Sequence, residues 1–330
     1  MNWGIISAAN IAFDEVVPAI RRSANSKPYA LATKTKEKAQ RFQIDNVYAT
    51  YGDLLADEHV TSVYIPLPNA LHHDMVIKSL KSYKNVLVEK PATISLEEMK
   101  QIAATVQETG HYFLEGFMYQ YHKQHKKMRE LLPLIGDIVH IKSHFSWLLE
   151  NEQDIRLNSA LGGGAMYDVG CYCMHAITQL IGFKPAVISM VSNTLSETDV
   201  DRTSVCTMFD KHGKMATFTC SMEMPFLDYY EIIGEQGLLK VSHSFRPDVS
   251  KSGVGIVERY NNAGDLLEQH KIQDDQYLRQ IEHFEQQVDS KVSSEKNLQQ
   301  SLEMSHYLEQ AYKSAYKNGK FIRVEDIYYA

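Results

Sequence analysis

The chain begins Trp3-Gly4-Ile5-Ile6-Ser7-Ala8-Ala9-Asn10-Ile11-Ala12: an apolar run, a turn of small residues, then the start of a helical pattern. A strand that passes straight into a helix is the opening unit of a parallel sheet, because parallel neighbours need a crossover between them. The turn stands where dinucleotide-binding folds carry G-x-G-x-x-G/A. Glycines serve there because the turn is tight and the backbone must approach a pyrophosphate. Ser7 and Ala9 replace the first two glycines, and Ala12 fits the third. The residues Ser7, Ala8, Ala9, Asn10 and Ile11 are still small enough, or close enough to the helix start, to offer N–H groups to phosphate. Taken alone the segment is also readable as a plain strand-to-helix turn.

Working outward, the alternation continues. Strand-like runs at Tyr29–Lys34, Val47–Ala49, Val63–Ile65, Asn85–Val88 and Tyr112–Leu114 are separated by helical patterns. Those patterns cover Ile11–Arg22, Glu37–Phe42, Leu54-Leu55, Ala70–Ser82 and Leu96–Thr109, the last closed by Gly110. Pro18 predicts a kink or restart in the first helix. This is a doubly wound α/β domain over residues 1–120. From residue 121 the pattern changes to strands with hairpin punctuation, over 138–148, 186–194, 202–209, 215–222, 230–234, 238–241 and 255–260. Helices are expected over 124–132, 165–181, 277–288 and 297–317, the last two packing back on the junction. The whole reads as an N-terminal Rossmann domain followed, over 121–330, by an α+β domain with a mainly antiparallel sheet.

Composition narrows the partners. Lys and Arg number 34 against 41 Asp and Glu, a net charge of −7, so nothing favours a phosphate backbone or nucleic acid. Four cysteines at 171, 173, 206 and 220 form no paired ladder and read as reduced, buried thiols. Cys171 and Cys173 point to different helix faces, which makes a metal site improbable on ligand spacing. No basic leader precedes the first strand, and no apolar stretch reaches the roughly 20 residues of a membrane span. A soluble, cytoplasmic protein is expected.

Four further segments carry chemistry. The second strand ends Ala32-Thr33-Lys34-Thr35 rather than in the acid that binds the ribose of NAD. A hydroxyl and a cation at Thr33 and Lys34 favour the 2′-phosphate of NADP; an exposed strand end carries the same residues. Pro66-Leu67-Pro68-Asn69-Ala70-Leu71-His72 and Val88-Glu89-Lys90-Pro91 follow two other strand ends, where such sheets bind ligands. A lysine beside a glutamate and followed by proline is unusual for packing alone. Finally, Gly162-Gly163-Gly164 clears the start of a helix bearing Asp168 and Tyr172, four residues apart and so on one face. An acid and a phenol projecting together suit proton transfer. His122 and His125 read as surface or junction histidines without a third zinc ligand, and the methionines at 166 and 174 as packing.

Together these segments resemble the glucose-fructose oxidoreductase / inositol dehydrogenase / MocA (Gfo/Idh/MocA) family of NAD(P)-dependent oxidoreductases. The resemblance is carried by Glu89-Lys90-Pro91, the Pro66–His72 loop and Gly163–Tyr172. Glu115-Gly116-Phe117-Met118-Tyr119-Gln120-Tyr121-His122 and Glu231–Gly237 carry it further. It implies Lys90 and Tyr172 as a catalytic pair and Asp168 as a substrate-orienting acid. It implies cofactor contacts from the first turn, Thr33, Lys34, Pro66, Leu67, Asn69, His72, Glu89 and Lys90, and a pocket-facing Arg156. Tyr at 172 is similar to the dihydrodiol, xylose and glucose-fructose branch, which commonly uses NADP. Many inositol-type relatives carry His there. The resemblance also implies a homo-oligomer, dimer or tetramer, built on the open sheet. Departures are Ser7, Ala9, Gln120 where Arg is usual, and Lys123 where Pro is usual.

The expected reaction is reversible oxidation of a hydroxyl in a sugar, polyol or cyclic diol. Tyr172 moves the hydroxyl proton, and the Lys90 charge favours its phenolate against a free-tyrosine pKa of about 10. Two other readings are an NAD-dependent inositol-type dehydrogenase and a non-catalytic dinucleotide-sensing regulator. Substrate choice rests on segments 148–160 and 223–229, read as loops.

Overall fold

The computed structural model describes residues 1–194 and 200–328. They form two compact units, Met1–Met118 with Tyr277–Ser305, and Tyr119–Gln276 with His306–Ile327.

The first unit is built on six strands: β1 (Asn2–Ile6), β2 (Lys27–Ala32), β3 (Asn46–Tyr48), β4 (Ser62–Ile65), β5 (Asn85–Val88) and β6 (Phe113–Glu115). They pair in the order β3-β2-β1-β4-β5-β6, all parallel. The order reverses between β1 and β4, the switch point at which ligands bind in such sheets. Burial of both sheet faces explains why the strands read as continuous apolar runs: Ile5, Ile6, Val63, Ile65, Val86 and Val88 are fully buried. Helix Leu96–Thr109 is capped by Ser95 at one end and by Gly110 (φ 69°) at the other. The expected irregularity at Pro18 takes a definite form. A π-helical turn at Ala12–Val16 precedes the α-helical Val17–Arg22, which leaves Pro18 in a first turn where its missing N–H costs little. Helix Gln276–Asp289 sets Phe284 against Trp3 and Tyr112, at ring separations of 4.8 and 5.2 Å.

The second unit holds a nine-stranded sheet made of β7 (Ile138–Leu148), β8 (Val187–Thr194), β9 (Asp201–Phe209), β10 (Met215–Ser221), β11 (Glu223–Gly234), β12 (Gly237–Ser242), β13 (Val254–Tyr260), β14 (Leu266–Gln273) and β15 (Ile322–Arg323). Its order is β14-β13-β12-β11-β7-β10-β9-β8-β15. Among the described residues only β7 and β10 run parallel, so the sheet is mainly antiparallel as expected. The helical run 165–181 packs over β7, β9 and β10, on the face that buries Ile141, Phe145, Met208, Phe218 and the cysteines.

Three expectations are corrected here. Segment 223–229 is the first half of β11, its pairing with β7 interrupted between Glu223 and Leu227. That irregularity, with Pro225 inside it, is why the stretch reads as a loop. β14 went unforeseen because this edge strand buries none of its residues and so needs no apolar alternation. His122 and His125 are not surface residues: both are buried in the second unit. There His122 lies 3.1 Å from the Gly253 carbonyl, and His125 bridges the Tyr230 hydroxyl (2.9 Å) and the Ser244 carbonyl (3.1 Å). Among the described residues no cluster of His, Cys, Asp or Glu is placed to hold a metal, and no helix is long and apolar enough to cross a membrane.

Candidate active site

In the first unit the candidate residues gather at the carboxyl ends of the strands. Ser7 follows β1 with φ 91°, the left-handed region that glycine normally occupies, and its N–H donates to the Ala32 carbonyl at 2.9 Å. The turn therefore keeps the path of a glycine turn despite the substitution. Ala8 is buried, and the helix begins at Asn10. The residues present fit a dinucleotide pyrophosphate.

The end of β2 supplies cations in place of an acid. Lys34 is exposed and lines a cleft of about 980 Å³ with Thr50, Tyr51, Met75 and Lys78. The Thr33 hydroxyl accepts from the Thr35 N–H at 3.2 Å, which shapes the turn. Sequence reasoning missed Arg41. Its guanidinium donates to the Asn10 side chain at 2.8 Å and lies 4.5 Å from the Phe13 ring centre. Only folding brings it from helix Lys36–Gln40 and its end to the first turn; nothing in its local sequence marks it.

The loops after β4 and β5 are tied together. Pro66 is buried, while Leu67, Asn69, Glu89 and Lys90 are half-buried. Glu89 accepts from the Tyr64 hydroxyl at 2.6 Å. His72 is fully buried, with Nδ1 at 2.8 Å from the Pro91 carbonyl and Nε2 at 2.7 Å from that of Leu67. Burial pushes its imidazole down to about 4, the neighbouring Lys90 charge adds to this, and the two carbonyl bonds oppose it. The ring thus sits between the two loops, one nitrogen donating to a carbonyl and the other packed against the second. The Lys90–Pro91 peptide is cis.

In the second unit, Gly163 and Gly164 do different things. A Cβ on Gly163 would meet the Arg156 carbonyl oxygen at 2.3 Å, so the 156–158 turn lies directly against it. Gly164 (φ 123°) lets Asp201 and Tyr312 close on the helix start. Asp201 accepts from the Met166 N–H (2.8 Å), the Ser204 hydroxyl (2.7 Å) and the Tyr312 hydroxyl (2.7 Å). Burial raises its carboxyl, against these bonds. No sequence signal pointed to Asp201, which fixes the start of the helix from 35 residues away.

That helix carries Asp168 and Tyr172. Its first turn, Met166–Gly170, is π-helical, α-helix follows over Cys171–His175, and a second π turn covers Ala176–Leu180. Such wide turns re-aim side chains and are frequent at functional sites. Asp168 accepts from the Trp147 indole at 3.1 Å and pairs with Arg156 at 3.1 Å. Arg156 also meets Asp154 at 3.2 Å and lies over the Trp147 ring at 5.4 Å. Asp168, then Asp154, hold the guanidinium charged and raise its pKa. Its charge is therefore balanced within the chain, and it orients Asp168 more evidently than it offers an anion site. The Tyr172 ring is buried among Tyr119 (5.7 Å), Phe145 (5.4 Å) and Phe245 (5.7 Å). Tyr119 in turn bonds His175 at 2.7 Å. Asp228 steadies the Phe245 loop by accepting from the N–H groups of Ser244, Phe245 and Arg246.

Comparison with known proteins agrees with this architecture. Residues 1–117 match an oxidoreductase family with an NAD-binding Rossmann fold, and residues 125–240 match the GFO/IDH/MocA C-terminal domain. The D-xylose 1-dehydrogenase (NADP(+)) 2 of Haloferax volcanii is 29% identical over 96% of this chain and 97% of its own length. The trans-1,2-dihydrobenzene-1,2-diol dehydrogenase of Xenopus laevis is 29% identical over 72% of this chain and 74% of its own. Among solved structures, KijD10, a 3-ketoreductase from Actinomadura kijaniata in complex with NADP and TDP-benzene, superposes with a TM-score of 0.90. It is 26% identical, with 95% of this chain and 97% of that chain covered. KijD10 variants in which a tyrosine or a lysine is replaced also match, with TM-scores of 0.89 and 0.86.

Proposed function

Since this chain belongs to the GFO/IDH/MocA oxidoreductase family, we propose that it is an NADP-dependent enzyme interconverting a hydroxyl and a carbonyl on a sugar, a nucleotide-linked sugar or a cyclic diol. The nicotinamide, when bound, supplies the hydride chemistry. Ser7, Ala8, Ala9, Asn10 and Ile11 would hold the pyrophosphate, with Pro66, Leu67, Asn69 and Glu89 bordering the nicotinamide half. Thr33, Lys34 and Arg41 would hold the 2′-phosphate, a doubly charged group that two cations stabilise by charge-assisted hydrogen bonds. His72 acts through the two loops it joins.

The observation that carries the reading is Asp168, fixed by Trp147 and Arg156 one helical turn before Tyr172. Asp168 accepts a hydrogen bond from a substrate hydroxyl and so orients the sugar. Tyr172 takes the proton of the reacting hydroxyl in oxidation and returns it to the carbonyl oxygen in reduction. The positive charge of Lys90 favours the phenolate. The relatives support the substrate class: one is named for D-xylose, one for a cyclic diol, and KijD10 for a ketone reduction. The KijD10 variants replace the same two residue types that this reading assigns to catalysis.

The test follows reduced-nicotinamide absorbance for a panel of sugars, nucleotide-linked ketosugars and cyclic diols, with NADP and NAD in parallel. Tyr172→Phe and Lys90→Ala each lower turnover by about a hundredfold or more, the size of lost acid–base catalysis. Near-normal turnover in either variant removes that residue from the mechanism.

A further inference from the structure

The turn that carries Lys90 is held from below by a buried carboxylate. At the end of β6, Glu115 is 7% exposed. One carboxyl oxygen accepts from the Ala92 N–H at 2.8 Å, and the other accepts from the Ser301 hydroxyl, on helix Glu295–Ala315, at 2.6 Å. One residue further on, Thr93 meets Ser305 of the same helix at 3.0 Å. On the other side the Pro91 carbonyl faces His72 at 2.8 Å. The three residues after Lys90 are thus each pinned, by three different elements. Gly116 brings the end of β6 close to this turn: its N–H donates to the Val88 carbonyl at 2.7 Å, and a Cβ there would meet that oxygen at 3.0 Å.

We propose that Glu115 is a positioning residue for Lys90, and that only its ionised form holds the Lys90–Pro91–Ala92 turn in the working position. The inference rests on Lys90 being catalytic, as read above. Both Glu115 oxygens are acceptors in the observed arrangement, and a carboxylate satisfies both bonds with charge assistance. A protonated carboxyl accepts from the Ala92 N–H only as a neutral group and reverses the Ser301 bond, donating to that hydroxyl, so both bonds lose their charge assistance. The groups facing Glu115 are the Ala92 N–H, the Ser301 hydroxyl, the Lys90 ammonium and the Glu89 carboxylate, with His72 at the opposite end of the clamp. Burial raises the Glu115 carboxyl to about 7; Ser301, Ala92 and Lys90 pull it down, and Glu89 adds to the rise. The switch between holding and releasing therefore lies near neutrality.

The experiment compares wild type, Glu115→Gln, Ser301→Ala and Lys90→Ala. With NADP and the panel compound of highest turnover, wild-type kcat falls as pH drops below about 7. Glu115→Gln lowers kcat roughly tenfold or more above that pH, the effect of a misplaced catalytic group, and its fall on acidification disappears. Ser301→Ala keeps the charge but removes a bond that favours it, so the fall moves to higher pH. A second readout needs no turnover. A carboxyl raised in the folded state binds more protons folded than unfolded between its ordinary 4.5 and about 7, so cofactor-free wild type loses stability relative to Glu115→Gln as pH rises across that window. Wild-type kcat with an unaltered acid fall in Glu115→Gln, while Lys90→Ala is inactive, overturns the positioning role alone. Normal turnover in Lys90→Ala overturns the parent reading instead.

Discussion

Replacing Gly163 by alanine puts a methyl carbon 2.3 Å from the Arg156 carbonyl oxygen, 2.8 Å from its carbon and 2.9 Å from the Asn158 oxygen. Ordinary contact begins at 3.4 Å, and all three neighbours are backbone, so the 156–158 turn must retreat by about 1 Å. The same turn is closed by hydrogen bonds from Gly163 N–H to Asn158 (3.0 Å) and from Gly164 N–H to Arg156 (2.9 Å), which the retreat stretches. Overpacking of this kind costs about 1–3 kcal/mol. The functional effect is larger in proportion, because the displaced turn carries Arg156, and Arg156 orients Asp168. A shift of about 1 Å at a positioning group costs roughly a hundredfold in turnover. Urea unfolding and steady-state kinetics measure the two effects, with Gly182→Ala as control. That glycine has φ 88° and open space around it, so alanine there brings backbone strain of about 1–2 kcal/mol and leaves turnover unchanged. If Gly163→Ala lies within about 0.5 kcal/mol of wild type and turns over normally, the turn is not rigidly seated and Arg156 does not orient the acid.

Two further outcomes test other parts of the molecule. Arg41→Ala removes the cation beside Asn10, and raises KM for NADP by about tenfold or more while leaving that for NAD nearly unchanged, the worth of one charge-assisted bond. Steady-state titration of both cofactors measures the ratio, and an equal change for both assigns Arg41 to the turn's structure alone. His175, buried and bonded to Tyr119, is pushed down to about 3 by burial. Its unfolded form binds a proton below the ordinary 6.5 and its folded form does not, so stability falls with acidification between 6.5 and about 3. His175→Asn lessens that loss by up to about 1.4 kcal/mol per pH unit below 6.5, read from denaturant midpoints across pH; an unchanged slope refutes it.

The order of strands and helices in the first unit is legible because parallel strands are apolar on both faces and helices carry a 3.6-residue period. The Ser7 turn was legible as a place, but its positive φ was not: a serine gives no notice that its neighbours will hold it in a glycine conformation. The second sheet was legible where strands lie over the helix and alternate, as in β7, and illegible where they reach an edge or break register, as in β14 and the first half of β11. Lys90, Asp168 and Tyr172 stood out because cation, acid and phenol are rare beside Pro or a glycine run. Their supports did not stand out. Glu115, Ser301, Asp201, Trp147 and Arg41 are ordinary residues in ordinary segments, and the partners they hold lie 21 to 186 residues away.

The amino-acid sequence by itself determined the fold class, the local caps and turns, and which groups stand as candidates to move a proton, since these depend on residue type and near-neighbour spacing. Tertiary structure alone decided which carboxylates are buried, which histidines are buried against backbone carbonyls, and which distant side chains hold each functional group. Burial and hydrogen bonding are set by what the chain brings back from afar, and no local pattern encodes that return.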